Sequence, residues 1–474
     1  MVQPEKSKRA SHPVHRLRSE EAGVAVLTVL LAIVLLLILS SALFLTARLA
    51  LERAAQTTDS TRALNVAESG MEAAASAIVA PGFNPPDTIS DSLPGGGDYD
   101  VEWNAQTTAL PWFDMTATGY YPNKDDATGV RRITAQVFAL SPWDFQYAAG
   151  MAGGAVNGNV LVDGAFYVNG PLQLSGNAGV KRGPLIIHQT GTSVGANADL
   201  SINSKGVEIG SLDESVPLFI DGKVYKQKKP RIYNVDPLYT QAPELDFPDV
   251  SDDEFAKYRS EYATDVYANS NATLRFDKET KSSSDASVAP YLSGKGVSWS
   301  WNSDEDKITI EFADNVEDPI LFVDGDVEFD DSKNIEIRYK GKGTIVASGN
   351  ISVTGSLVPT SSGEPLGRDT LEKFPEINRL GLITRDNIFY EGNSHDWLAA
   401  ALYGGGTVYF STPVGPGGSG ANFIGSMVAG TLDLTDQNPN LYTQSGFSGM
   451  LPPGMPGGDG RITSIMGWTE MTPP

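Results

Sequence analysis

The side chains that most often do chemistry are few and scattered in this chain. There are four histidines, His12, His15, His188 and His395, and no cysteine. Without Cys there are no disulfides, thiol nucleophiles or thiolate metal sites. His12 and His15 fall in a basic leader. His188 ends an apolar run, Leu185-Ile186-Ile187-His188, where a packed or strand-edge place suits it better than proton transfer; His395-Asp396 reads as a turn. No esterase, zincin or phosphate-loop signature is read, so ATP-driven assembly is not expected of this chain itself. Asn302, Asp304 and Asp306 have the alternate spacing of calcium ligands. Lys307 stands where an EF-hand loop needs Gly, and no Glu closes the loop. Asp324-Gly325-Asp326 and Asp330-Asp331 make a second acidic cluster. Both read as solvated turns, and acidic pairs without a paired geometry give little support to a glycosidase. The expectation is no enzyme, no cofactor and no metal.

The stronger signals concern placement. Of 474 residues, Val24 to Leu45 form 22 without a charge, with Thr28, Ser40 and Ser41 as the polar members. As a helix this run spans roughly 33 Å, enough for a hydrocarbon core of about 30 Å. Residues 1–22 carry Lys6, Lys8, Arg9, Arg16 and Arg18 against Glu5, Glu20 and Glu21. This leader argues for an N-terminus inside and the bulk of the chain outside the cytoplasm. The apolar run is too long for an ordinary secretory signal and no small-residue cleavage site follows it. Of the formal charge of −23 the leader contributes +2 and the rest of the chain −25, which disfavours nucleic acid as a partner.

Helix-forming composition continues past the span. From Arg48 to Ala80 there is no Pro, and Gly70 is the one weak point. Leu64, Ala67, Met71, Ala74, Ala75 and Ile78 recur at three- and four-residue steps, predicting an inner face for one continuous helix over Val24 to about Val79.

A short leader with Arg18 and Gly23, a Leu/Val-rich span, and then Ala67-Glu68-Ser69-Gly70-Met71-Glu72-Ala73-Ala74 follow one another in this order. That arrangement resembles the PilX-type minor pilins and pilus assembly proteins, over roughly residues 15–80. The resemblance implies a type IV pilin plan, with other pilin-like subunits and a membrane assembly platform as partners. Gly23–Val24 would be the bond cut by a prepilin peptidase. The chain departs from the common pilin pattern in having Val24 after the glycine and Thr28 where a Glu is usual. In a fibre that Glu is thought to neutralise the buried amine of a neighbour, so a Thr-bearing subunit suits a tip or an initiating position better than a repeating one.

Beyond the helix, residues 81–97 form a Pro/Gly-rich loop. Asp98–Trp103, Phe113–Tyr121 and Val130–Leu140 then read as strands of a small antiparallel module over 81–140. From about residue 141 short alternating strands are cut by Gly and Asn, and the texture returns from Leu321 onward. It resembles a solenoid-like domain often joined to PilX-type anchors. The fold expected is mainly β with a long N-terminal helix: a transmembrane span, a pilin-like α+β module, then a parallel β-solenoid over 141–220 and 316–440, with a β-sandwich as the alternative. Residues 221–315 read as an insertion, with a helix opening at Ser251 and a hairpin around 302–307. Residues 441–474 read as a Gly/Pro-rich tail. The functional expectation is a pilin-like structural subunit in the inner membrane. The alternatives are a surface module binding glycan or another envelope polymer through Trp299, Trp301 and Trp397, and a solenoid hydrolase.

Overall fold

The computed structural model describes residues 14–78, 88–105, 112–148, 154–156, 158–189, 198–245, 247–248, 250, 252–268, 273–277, 279–280, 282–330, 335–362, 366–371, 374–411, 420–434, 439–443, 447–457 and 462–471. The architecture is mainly β with one long helix, α1, running unbroken over Val14–Ile78. No proline interrupts it, and its length is about 98 Å at 1.5 Å per residue. Two hydroxyls within its apolar part are satisfied by the helix itself: Thr28 Oγ1 donates to the Val24 carbonyl at 2.5 Å and Ser41 Oγ to that of Leu37 at 2.8 Å. Such back-bonding removes the cost of a polar group in an apolar surrounding.

The last four turns of α1 lie on an antiparallel sheet of β1 (Thr88–Ser92), β2 (Asp98–Ala105), β3 (Trp112–Tyr121) and β4 (Gly129–Leu140), in that order. Alternation puts Val101, Ala117 and Ile133 side by side on the helix-facing side, in register across three strands. All three are fully buried. The sheet has a fifth strand, Ile462–Met471, antiparallel to the free side of β4. A segment that reads as tail from its Gly and Pro content thus completes the module.

Everything between these parts is dominated by parallel pairing, unlike the antiparallel ladders of an immunoglobulin-type sandwich. Three ladders run side by side, and successive strands of one ladder are usually three elements apart in sequence. One ladder passes through Val235–Tyr239, Val216–Ile220, Leu185–His188, Phe166–Asn169 and Gln146–Ala148. It continues through the long strands Asn422–Leu434 and Trp397–Ser411 to Arg379–Thr384, Lys342–Ala347, Ile320–Val323 and Asp265–Tyr267. The chain therefore starts at the middle of the stack, winds out to one end, crosses to the other end, and winds back. Its last coil closes the middle, where Leu441 lies beside Val162 and Met427 beside Gln146.

The strands of this first ladder are apolar on both sides, as in Val216–Ile220 and Ile320–Val323, where every residue is buried. One side faces the core between the ladders. The other is covered by the crossing segment, including Leu245, Val250, Phe255 and Tyr258. Burial on both faces explains why these strands read as continuous apolar runs.

Several strands lie within 221–315: Val224–Lys226, Ile232–Tyr233 and Val235–Tyr239 pair into one end of the stack. Asp265–Tyr267, Leu274–Phe276 and the hairpin Val297–Asn302/Lys307–Phe312 pair into the other. An end coil has a neighbour on one side only, and Val224–Lys226 is largely exposed, which dilutes the alternation that marks a strand in sequence. The helix expected to open at Ser251 and run to about Ala268 is shorter: Asp252–Lys257 with one wider turn over Tyr258–Tyr262. Ser251 lies outside the described residues.

Candidate assembly helix and its sheet

Two surfaces of α1 differ in kind. From Val24 to Leu51 its large apolar side chains are exposed, with Val24 at 65% and Phe44 at 74%. This is the one helix, among the described residues, long and apolar enough to cross a membrane. From Ala63 onward one face is buried on the sheet: Ala63, Val66, Ala67, Met71, Ala74, Ala75 and Ile78. These include most of the stripe expected from spacing, and Leu64 is packed beside it.

The small residues are what let the helix come close. A Cβ on Gly119 of β3 would stand 2.1 Å from the Ala63 carbonyl oxygen and 2.5 Å from the Ala67 nitrogen. One on Gly129 of β4 would stand 2.4 Å from the Asp59 carbonyl oxygen, and one on Gly70 of the helix 2.7 Å from the Tyr99 ring. Helix backbone and sheet backbone therefore touch where a side chain would otherwise separate them. Polar contacts fix the crossing: Thr128 Oγ1 donates to Asp59 Oδ2 at 2.8 Å, and Arg131 Nε donates to Ser60 Oγ at 2.6 Å. Arg62 donates to the Tyr121 hydroxyl at 2.5 Å, and its guanidinium lies over that ring.

The helix motif divides between these roles. Ala67 and Gly70 face the sheet, Glu68 lies at the rim and Glu72 points to solvent. Thr28 is in the exposed apolar stretch, its hydroxyl turned back onto the helix. Gly23 and Val24 lie inside α1, nine and ten residues after its first described residue, Val14.

The residues with possible chemistry are placed apart from one another. His188 Nδ1 lies 2.6 Å from Asp221 Oδ2, at the corner where the crossing segment leaves the coils. Burial raises the Asp221 pKa, but hydrogen bonds from His188 and from the Gln189 and Ala242 backbone N–H groups outweigh it and hold the carboxyl below its usual range. Asp221 thus pins Ala242, the start of the crossing, and the pair reads as a clamp. His395 is at an exposed turn, where Asp396 accepts the Asn393 N–H at 2.7 Å. Asn302 accepts the Asp304 N–H at 3.1 Å, an Asx turn at the hairpin tip. Asp324 pairs with Arg259 and Asp326 accepts the Asn350 N–H. Among the described residues no three carboxylate or imidazole groups gather as a metal site.

Two readings of the sequence need correction. Trp299 and Trp397, taken as exposed platforms for a glycan, are 2% and 7% exposed, and Trp301 is partly buried. Trp299 packs edge-on against Phe276 in the core, and Trp397 stacks on Tyr442. In addition, Gly191-Thr192-Ser193-Val194-Gly195 does fit the spacing of the esterase pattern G-x-S-x-G. It lies outside the described residues. The nucleophile elbow needs a strand before it and a helix after it, and the described element that follows here is the strand Leu200–Ile202.

No protein-family model and no curated protein matches the chain. Among solved structures, the competence-associated pilin ComZ from Thermus thermophilus aligns with 87% of this chain and 98% of its own, at 14% identity and a TM-score of 0.39. A likeness at that level carries no argument about fold or function.

Proposed function

We propose that the chain is a membrane-anchored, pilin-like structural subunit that helps to initiate, cap or display a type IV pilus-like fibre, and that it has no catalytic activity of its own. One observation carries this reading: a single unbroken helix gives its first half to an apolar, outward-facing surface and its last turns to an antiparallel sheet. Such a helix can sit in lipid or among similar helices while holding a folded domain at a fixed distance. The parallel stack is then a β-solenoid carried outside the cytoplasm, with the basic leader left inside. Thr28 fits a rare rather than a repeating position. It satisfies its own hydroxyl and offers no carboxylate to a neighbour's amine.

The test is mass spectrometry of fibres sheared from the source cell. The expected result is this chain present at low stoichiometry with Val24 as its first residue. Fibres that lack it, together with a cell-associated chain still carrying residues 1–23, would overturn the reading.

A further inference from the structure

The two ends of the parallel stack carry opposite charge. At one end, residues 221–236 hold Lys223, Lys226, Lys228, Lys229 and Arg231 against Asp221 and Asp236, in a chain of net charge −23; Arg231 also pairs with Glu208 at 3.2 Å, which leaves the four lysines as the basic surface. All five basic residues are exposed. Toward the other end an open groove of about 910 Å³ runs along the side of the stack beneath the crossing segment, from Phe247 and Pro248 to Thr264 and Ile320; its outer part is lined by Glu254, Glu261, Glu317 and Asp318, by the rings of Tyr258 and Tyr262, and by one cation, Lys257. The four carboxylates are exposed, and Tyr262 is 46% exposed.

These surfaces cannot meet within one molecule. The ladder from Val235–Tyr239 to Asp265–Tyr267 contains the eleven strands traced above. Ten steps of about 4.8 Å separate the ends by roughly 48 Å. A lysine side chain reaches only a small part of that distance.

We propose that the basic end coil of one molecule docks into the acidic tyrosine-lined groove of a second copy, joining the stacks head to tail. Lysines over carboxylates and tyrosine rings gain both ion pairing and cation–π attraction. Both end strands pair with another strand on one side only among the described residues; Val235–Tyr239 leaves its edge open, whereas the far side of Asp265–Tyr267 is covered by residues 291–297, with the Val266 N–H donating to Ser293 Oγ at 3.1 Å. Pro237 has no N–H to give, so the edge Val235–Tyr239 resists plain backbone extension and leaves the join to side chains. The contact uses different patches on the two partners, and such heterologous contacts propagate as rows or rings. A free polyanion fits less well: the rest of the chain is strongly acidic and repels it, while the complementary charge is already present on every copy.

The inference does not rest on the fibre reading; N-terminal processing tests that one, and charge exchange tests this one. Full-length protein in detergent is followed by sedimentation velocity. Wild type should associate at low salt, with apparent affinity falling at least about tenfold on going to high salt. K226E/K228E/K229E and E254K/E261K/E317K should each be monomeric alone, associate with each other when mixed, and recover self-association when combined in one chain. Lys→Gln and Glu→Gln versions serve where a charge reversal unfolds the protein, judged by circular dichroism. Wild type monodisperse at low salt, or folded reversals that still self-associate, would overturn the proposal. So would tight binding of wild type to a single-stranded oligonucleotide or to anionic vesicles, lost in the lysine variants, with no self-association.

Discussion

Three glycines decide how α1 sits on its sheet, and Gly119 is the tightest. Its missing side chain leaves the Ala63 carbonyl oxygen 2.1 Å from where a Cβ would be. Backbone on both sides makes that space rigid, so Gly119→Val must lift the helix or bend the strand. Overpacking of this kind costs about 1–3 kcal/mol. We expect a lower melting temperature for Gly119→Val, and almost no change for Gly95→Ala, whose Cβ would meet nothing within 4 Å. Thermal circular dichroism of both variants in one detergent checks this. Little of this detail was legible from residue types. The Ala67–Met71 spacing marks a buried face, but nothing local says that Gly119 and Gly129 lie under it, because that follows from the register of strands about fifty residues away in the chain. The tryptophans mislead for a related reason: an aromatic in a polar stretch such as Ser298-Trp299-Ser300 looks exposed, yet alternation turns the two serines outward and the ring inward.

At the scale of elements, the long helix and the module strands were the most readable, since each carries its own period over ten residues or more. The strands Asp98–Ala105, Trp112–Tyr121 and Gly129–Leu140 extend the sequence-based spans by one or two residues. The strand Ile462–Met471 was not readable, because its partner β4 is more than three hundred residues earlier and its neighbours are Gly and Pro. It covers the edge of β4 from Arg132 to Leu140. Removing residues 458–474 exposes that row of backbone groups. Exposed strand edges invite pairing with other chains. The truncated protein is expected to elute largely as aggregate in size-exclusion chromatography under conditions that keep the full chain dispersed.

At the scale of the whole molecule, the order of coils along the stack differs from the order of coils along the chain. Strand texture shows that coils exist, and Gly and Asn mark their corners, but texture carries no information about which coil stacks on which. A break in pattern was legible but was read too widely, as an insertion over 221–315; the crossing itself takes only 240–264, and its meaning, a transfer from one end of the stack to the other, was not legible. The arrangement predicts a gradient of protection. Asn422–Leu434 has a neighbour on each side, Trp397–Ser411 and Gln146–Ala148, and lies mid-stack. Val235–Tyr239 and Asp265–Tyr267 are at the ends. Hydrogen–deuterium exchange should be slowest at 422–429 and faster at both ends, because end strands open without disturbing the rest. Equal protection throughout, or fastest exchange in the middle, would contradict this order.

The mid-stack closure also bears on synthesis. A ribosome makes residues 146–239 first, and the coil that must lie against their inner side, 422–443, is among the last to emerge. Until then the early coils carry an uncovered apolar flank with no permanent mate. A nascent chain of this protein thus has a long interval in which a chaperone, or a wrong partner, can occupy the place reserved for its own final turn.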